Sequence, residues 1–116
     1  METIKTSLSG VPLLRVIGEV DHSTAPALDE VVQKALPLDD SHLILDLSEC
    51  PYLDSGGLGV ILMAVRKVQA GGWLGVIARN ANLLRLFEIS GLTTEPAFRI
   101  FAGPREASAV LAGEDT

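Results

Sequence analysis

The densest chemistry in the 116-residue chain lies in one short stretch, Leu53-Asp54-Ser55-Gly56-Gly57-Leu58-Gly59. A carboxylate and a hydroxyl stand side by side where an apolar-periodic segment begins, and both can accept hydrogen bonds from the unpaired N–H groups of a helix start. On one reading Asp54 or Ser55 is an ordinary N-cap. The glycines point further, because each costs about 0.8–1 kcal/mol relative to alanine inside a helix. Such a cost is tolerated where another backbone comes close or where the helix end is reached from outside. A helix N-terminus also favours anions, so a phosphate on Ser55 would find local donors and a favourable dipole. No Lys-Ser/Thr pair follows the glycines, so the pattern is not a nucleotide P-loop.

Asp21 is the second candidate. It opens Asp21-His22-Ser23-Thr24, a cluster of cap-type residues, and N-cap of the following helix is one role open to it. In the helix that begins at Ser55, the main apolar stripe reads Leu58, Ile61, Leu62, Val65 and Val68. Val60, Met63, Ala64 and Lys67 lie off that stripe and are candidate contact residues, with core packing the competing role for Val60 and Met63.

Other reactive side chains carry no such pattern. Cys50 is the only cysteine and reads as a buried structural thiol. His22 and His42 have no second cysteine or paired carboxylate at ligand spacing, so no metal site is expected. Trp73 reads as a packing residue, Asp39-Asp40 as a solvated loop and Arg79-Asn80-Ala81-Asn82 as a turn and helix cap. No nucleophile, base and orienting group occur as a set, so neither catalysis nor a cofactor is expected.

The elements that must position these residues alternate. Thr3–Leu8 and Pro12–Val20 read as strands joined by a hairpin at Ser-Gly-Val-Pro, and Ala25–Leu36 as a helix closed by Pro37. His42–Leu47 is a short strand, Ser48–Asp54 a turn-like segment and Ser55–Ala70 a helix ended by Gly71-Gly72. Trp73–Ala78 is a buried-type strand. Asn80–Ser90 is a helix carrying Leu83, Leu84, Leu86, Phe87 and Ile89. Ala97–Phe101 is a last strand, Pro104–Leu111 a short helix and Gly113–Thr116 an acidic frayed tail. This order predicts an α/β domain with a mostly parallel sheet of about five strands, an N-terminal antiparallel hairpin and about four helices. If the strands beginning at Pro12 and His42 are parallel neighbours, Asp21 and Ser55 fall on one rim of the sheet, where open α/β sheets favour ligands.

Bulk properties narrow the function. The length fits a single domain, with a core over about residues 3–111. Hydrophobic residues are 47% and charged residues 21% of the chain, the balance of a folded globule. The net charge of −6 and the lack of a basic stripe set nucleic acid aside as a partner. No apolar run approaches the ~20 residues of a membrane helix, and the first residues lack the pattern of a secretory signal. With a lone cysteine besides, a cytoplasmic location is the expectation.

The chain resembles the STAS domain family, specifically the bacterial anti-sigma factor antagonists. The resemblance runs from about Val11 to Leu111. It rests on Gly18-Glu19-Val20-Asp21, Leu45-Asp46-Leu47-Ser48, Asp54-Ser55-Gly56-Gly57-Leu58-Gly59 and Ile89-Ser90-Gly91-Leu92.

The resemblance implies a regulatory binding protein and not an enzyme. Its partner would be an anti-sigma factor that doubles as an ATP-dependent serine kinase, with a phosphatase as a further partner the resemblance allows. Ser55 matches the serine that the kinase phosphorylates, and Asp21 matches an aspartate that aids recognition. Asp54, Gly56, Gly57, Val60 and Met63 complete the expected partner-binding set. Many relatives carry Ser or Thr after the acceptor serine, where this chain has Gly56. Two other readings remain open from the residues: a constitutive STAS subunit of a lipid-type transporter with Ser55 as a helix cap, and a weak nucleotide-binding domain.

Overall fold

The computed structural model describes residues 1–114. The strands are β1 (Glu2–Leu8), β2 (Val11–Ile17), β3 (His42–Glu49), β4 (Trp73–Ile77) and β5 (Phe98–Phe101). The helices are α1 (Ala25–Ala35), α2 (Ser55–Lys67), α3 (Ala81–Ile89) and α4 (Pro104–Glu114), with a 3-10 turn at Leu92–Thr94. The five strands form one sheet in sequence order; β1 pairs antiparallel to β2, and every later pair is parallel. A parallel strand between helical layers is buried on both faces. This is why all five residues of β4 are buried and why its sequence is a continuous apolar run.

Alternation along the strands divides the core in two. Leu14, Val16, Leu43, Leu45, Leu74 and Val76 meet α1, α2 and α3 in the larger cluster. Leu13, Ile44, Trp73, Ile77 and Phe101 point the other way and are covered by Ala107 and Leu111 of α4. Phe87 of α3 and Phe98 of β5 meet edge to face with centroids 5.5 Å apart.

Several expected boundaries move. β2 stops at Ile17, because its register with β3 shifts between Arg15 and Ile17, and Val20 forms only an isolated parallel bridge to Leu53. β3 continues to Glu49, α2 ends at Lys67, and α4 runs through the expected end at Leu111 to Glu114. Of the expected tail, Asp115 and Thr116 lie outside the described residues. The buried face of α2 is also rotated from the expected stripe: it comprises Gly57, Val60, Ile61, Ala64 and Val65, while Leu58 and Leu62 are half-buried. Small side chains are what let the start of α2 sit down on the sheet. A Cβ on Gly57 would stand 2.6 Å from Leu53 Cδ1 and 2.8 Å from Val20 Cγ1.

Ile89, expected among the apolar residues of α3, is 72% exposed, whereas Phe87 on the same helix is fully buried. Phe87→Ala should therefore destabilise the fold by about 3–5 kcal/mol. Ile89→Ala should stay within about 0.5 kcal/mol of wild type. Urea denaturation of the two variants separates these outcomes, and equal losses would contradict this assignment of the core.

Candidate functional site

The rim is set by backbone pairing beyond the ends of β2 and β3. Gly18 N–H donates to Glu49 O (2.9 Å), Val20 N–H to Tyr52 O (3.0 Å) and Asp54 N–H to Val20 O (3.1 Å). These bonds carry the two chains past the register shift side by side, so Asp21 and Ser55 emerge next to each other.

Asp54, in extended conformation, is the N-cap of α2. Its Oδ1 accepts from the N–H of Gly56 (2.8 Å) and Gly57 (3.2 Å). Its Oδ2 accepts from the N–H of His22 (3.0 Å), across from the loop before α1. Desolvation alone would raise the Asp54 pKa, but the donations from Gly57, His22 and Gly56 outweigh it and hold the carboxyl below the ordinary 3.8. Ser55 is thereby relieved of capping. It is the first residue of the helix, exposed, and its hydroxyl takes no part in the cap.

Gly56 explains how the two loops come so close. A Cβ there would lie 2.8 Å from His22 Cα, a backbone atom, and 3.1 Å from His22 Cβ. Gly56 is thus the residue that admits the β2–α1 loop.

Asp21 caps the turn that leads into α1: its Oδ1 accepts from the Ser23 hydroxyl (2.6 Å) and from the N–H groups of Ser23 (2.9 Å) and Thr24 (3.0 Å), its carbonyl accepts from the N–H of Ala25 (2.8 Å), and its own N–H donates to Thr24 Oγ1 (3.0 Å). The Ser23 hydroxyl, and then the N–H groups of Thr24 and Ser23, lower its pKa from 3.8.

Between α1 and α2 runs an open groove of about 680 Å³ that starts at this rim. Ala25, Pro26, Val60 and Met63 give it apolar walls, Gly59 opens it, and Asp29 and Gln33 edge it. Met63 is 58% exposed, but Val60 is 7% exposed and presents only an edge, because it belongs to the core. Ala64 is wholly buried and Gly57 buried, so neither offers the contact surface expected of it. Lys67 lies at the far end of α2 and bonds to Gln33 Oε1 (3.0 Å). His22, for which the sequence offers no metal-ligand pattern, has its place at this rim. Its Nδ1 lies 3.7 Å from Asp54 Oδ2; the signal for it was its place directly after Asp21. Pro26 and Asp29 gave no signal, since the groove exists only once α1 and α2 are packed.

One expectation is corrected here. The N–H groups of Gly56 and Gly57 are taken by the Asp54 carboxylate and that of Leu58 by the Asp54 carbonyl (2.9 Å). A phosphate on Ser55 therefore does not inherit those donors. Cys50 is buried, burial pushes its thiol above the ordinary 9.0, and it donates to Tyr52 O (3.3 Å), which fits a structural thiol.

The fold and the rim define a small α/β domain that presents an uncapped serine at a glycine-lined helix start. The chain belongs to the STAS domain family, among the anti-sigma factor antagonists: a family model described as "Mlab, STAS domain" matches residues 5–100. It is 31% identical over 99 residues to the anti-sigma-F factor antagonist RsfB of Mycobacterium tuberculosis, covering 85% of this chain and 80% of that one. It is 36% identical over 88 residues to the anti-sigma F factor antagonist of Paenibacillus polymyxa, covering 72% and 73%. The crystal structure of an anti-sigma factor antagonist from Mycobacterium paratuberculosis superposes with a TM-score of 0.81 at 28% identity, covering 96% of this chain and 93% of that one.

The geometry of Asp54 and the glycines predicts the outcome of three substitutions. Because the folded-state pKa of Asp54 is lowered, its stabilisation is complete above the unfolded value and disappears as pH falls through the folded one. Asp54→Asn should thus be less stable than wild type near neutrality and lose less on acidification, which urea midpoints at about pH 7 and about pH 3 would measure. Gly56→Ala should cost about 1–3 kcal/mol through overpacking against His22. Gly59, where an added Cβ meets nothing within 4 Å, should gain up to about 1 kcal/mol on substitution by alanine.

Proposed function

We propose that this chain is an anti-sigma factor antagonist that works by partner switching. With Ser55 unmodified, it binds an anti-sigma factor that has ATP-dependent serine kinase activity, and a sigma factor is released. Phosphorylation of Ser55 ends the binding, and a phosphatase restores it. The setting is the bacterial cytoplasm.

The observation that carries this reading is the division of labour at the start of α2. Asp54 does the capping, so an exposed hydroxyl is left free beside an apolar groove. Asp21, Ser55 and Met63 would meet the partner directly, Val60 by its edge, while Asp54, Gly56 and Gly57 hold the acceptor loop in shape. In a constitutive transporter subunit the exposed hydroxyl of Ser55 would have no assigned role, whereas the named relatives are anti-sigma factor antagonists. A nucleotide phosphate would meet the Asp54 carboxylate where it needs N–H donors.

The switch is electrostatic. Phosphorylation adds about 1.5–2 negative charges next to Asp54 and Asp21. Covering that charge with a partner costs several kcal/mol unless a cation meets it, and each 1.4 kcal/mol is about tenfold in affinity. Ser55→Ala should bind the anti-sigma factor and stay bound when ATP is added. Ser55→Asp should bind at least about tenfold more weakly. Pull-down with the purified partner, with and without ATP, reads both. Wild-type affinity for Ser55→Asp, or no phosphate on Ser55 by mass spectrometry after incubation with kinase and ATP, would overturn the reading.

A further inference from the structure

If Ser55 carries a phosphate, as the preceding reading requires, a cation within reach on the rim would favour it. The first-turn N–H groups of Gly56, Gly57 and Leu58 already serve Asp54. The acidic groups around the acceptor come from every side: Asp54 at the start of α2, Asp21 in the loop before α1, and Asp29 across the groove on α1. Neither Lys nor Arg lines this groove among the described residues. Lys67 is twelve residues along α2, about 18 Å at 1.5 Å per residue.

His22 is the exception. Its backbone is clamped to the acceptor loop by the bond from its N–H to Asp54 Oδ2 (3.0 Å), and its Cβ abuts Gly56, the residue after Ser55. Its imidazole is 89% exposed and already drawn to a carboxylate 3.7 Å away. The ring is thus tethered at the acceptor yet free to turn. We propose that protonated His22 is the counter-charge that holds a phosphate on Ser55.

An imidazole is the one side chain that ordinarily gains its charge between pH 5 and 8, the range in which a phosphoserine passes from one negative charge to two. The pair forms where both charges are present. In the unmodified protein the same imidazole rests against Asp54. Modification gives it a stronger anion on the same rim, without moving the backbone. His22 is in this sense a positioning residue for the phosphorylated state.

The test uses the full chain with phosphoserine installed at position 55 during translation, so that no kinase is needed. The phosphorus resonance is titrated by NMR in wild type, His22→Gln and His22→Lys. Both substitutions keep the backbone N–H, and the exposed side chain leaves the core untouched. The second ionisation of the phosphate should rise by about half a unit in His22→Gln relative to wild type, as expected for charges about 5 Å apart in water. His22→Lys should keep it low. Superimposable curves for wild type and His22→Gln would overturn the inference while leaving Ser55 as the switch. Absence of phosphate on Ser55 in the native host would instead remove the switch and leave the measured pairing standing.

Discussion

Asp54 serves three N–H groups with two oxygens. One oxygen closes the first turn of its own helix, and the other reaches a loop 32 residues earlier in the chain. A carboxylate accepting several backbone N–H groups is strongly favoured in its charged form, so the contact is both a cap and a clasp. The parallel pairing of β2 with β3 brings the loops to the same edge. Asp54 is what fixes their spacing, and with it the position of Ser55 relative to Asp21 and His22. The close approach in turn is eased by Gly56, since a side-chain carbon there would stand 2.8 Å from His22 Cα and force the backbone to shift.

The glycines of this segment therefore do different things. Gly56 admits another backbone, and Gly57 lets the helix settle on the Val20–Leu53 bridge. Gly59 meets no neighbour and leaves the groove open. Read from composition, all three are the same weakness in a helix. Their meanings separate only when the residues opposite each one are known, and those come from β2 and the β2–α1 loop.

The sheet was legible in the sequence because burial on both faces writes an unbroken apolar run, as in β4, and the hairpin carries its own turn residues. Helix faces were less legible. The pattern in α2 favours its large residues, Leu58 and Leu62, whereas the sheet receives Gly57, Val60 and Ala64, because a helix start pulled close to the sheet selects small side chains. Ile89 misleads in the same way: it is apolar at a plausible position in α3, yet the helix ends there and exposes it. At the rim, the placing of Asp21 and Ser55 on one edge follows from the parallel pairing of β2 and β3. The clasp to His22 does not, since a backbone N–H leaves no mark in the side-chain pattern.

A scaffold of this kind separates rigidity from regulation. Were Ser55 itself the cap, modifying it would remove the bonds that end the helix, and the charge would act by loosening the fold. With the capping assigned to Asp54, an ester on the neighbouring oxygen leaves the N–H groups of Gly56 and Gly57 in their existing bonds. The added charge is then felt at the surface, by Asp21, His22 and whatever docks in the groove, and only weakly by the core. Under the proposed switching, the two states would differ by a local field and not by a packing rearrangement. The hydroxyl of Ser55 stands among carboxylates, and the imidazole of His22 shares the same rim, clamped there through its backbone by Asp54.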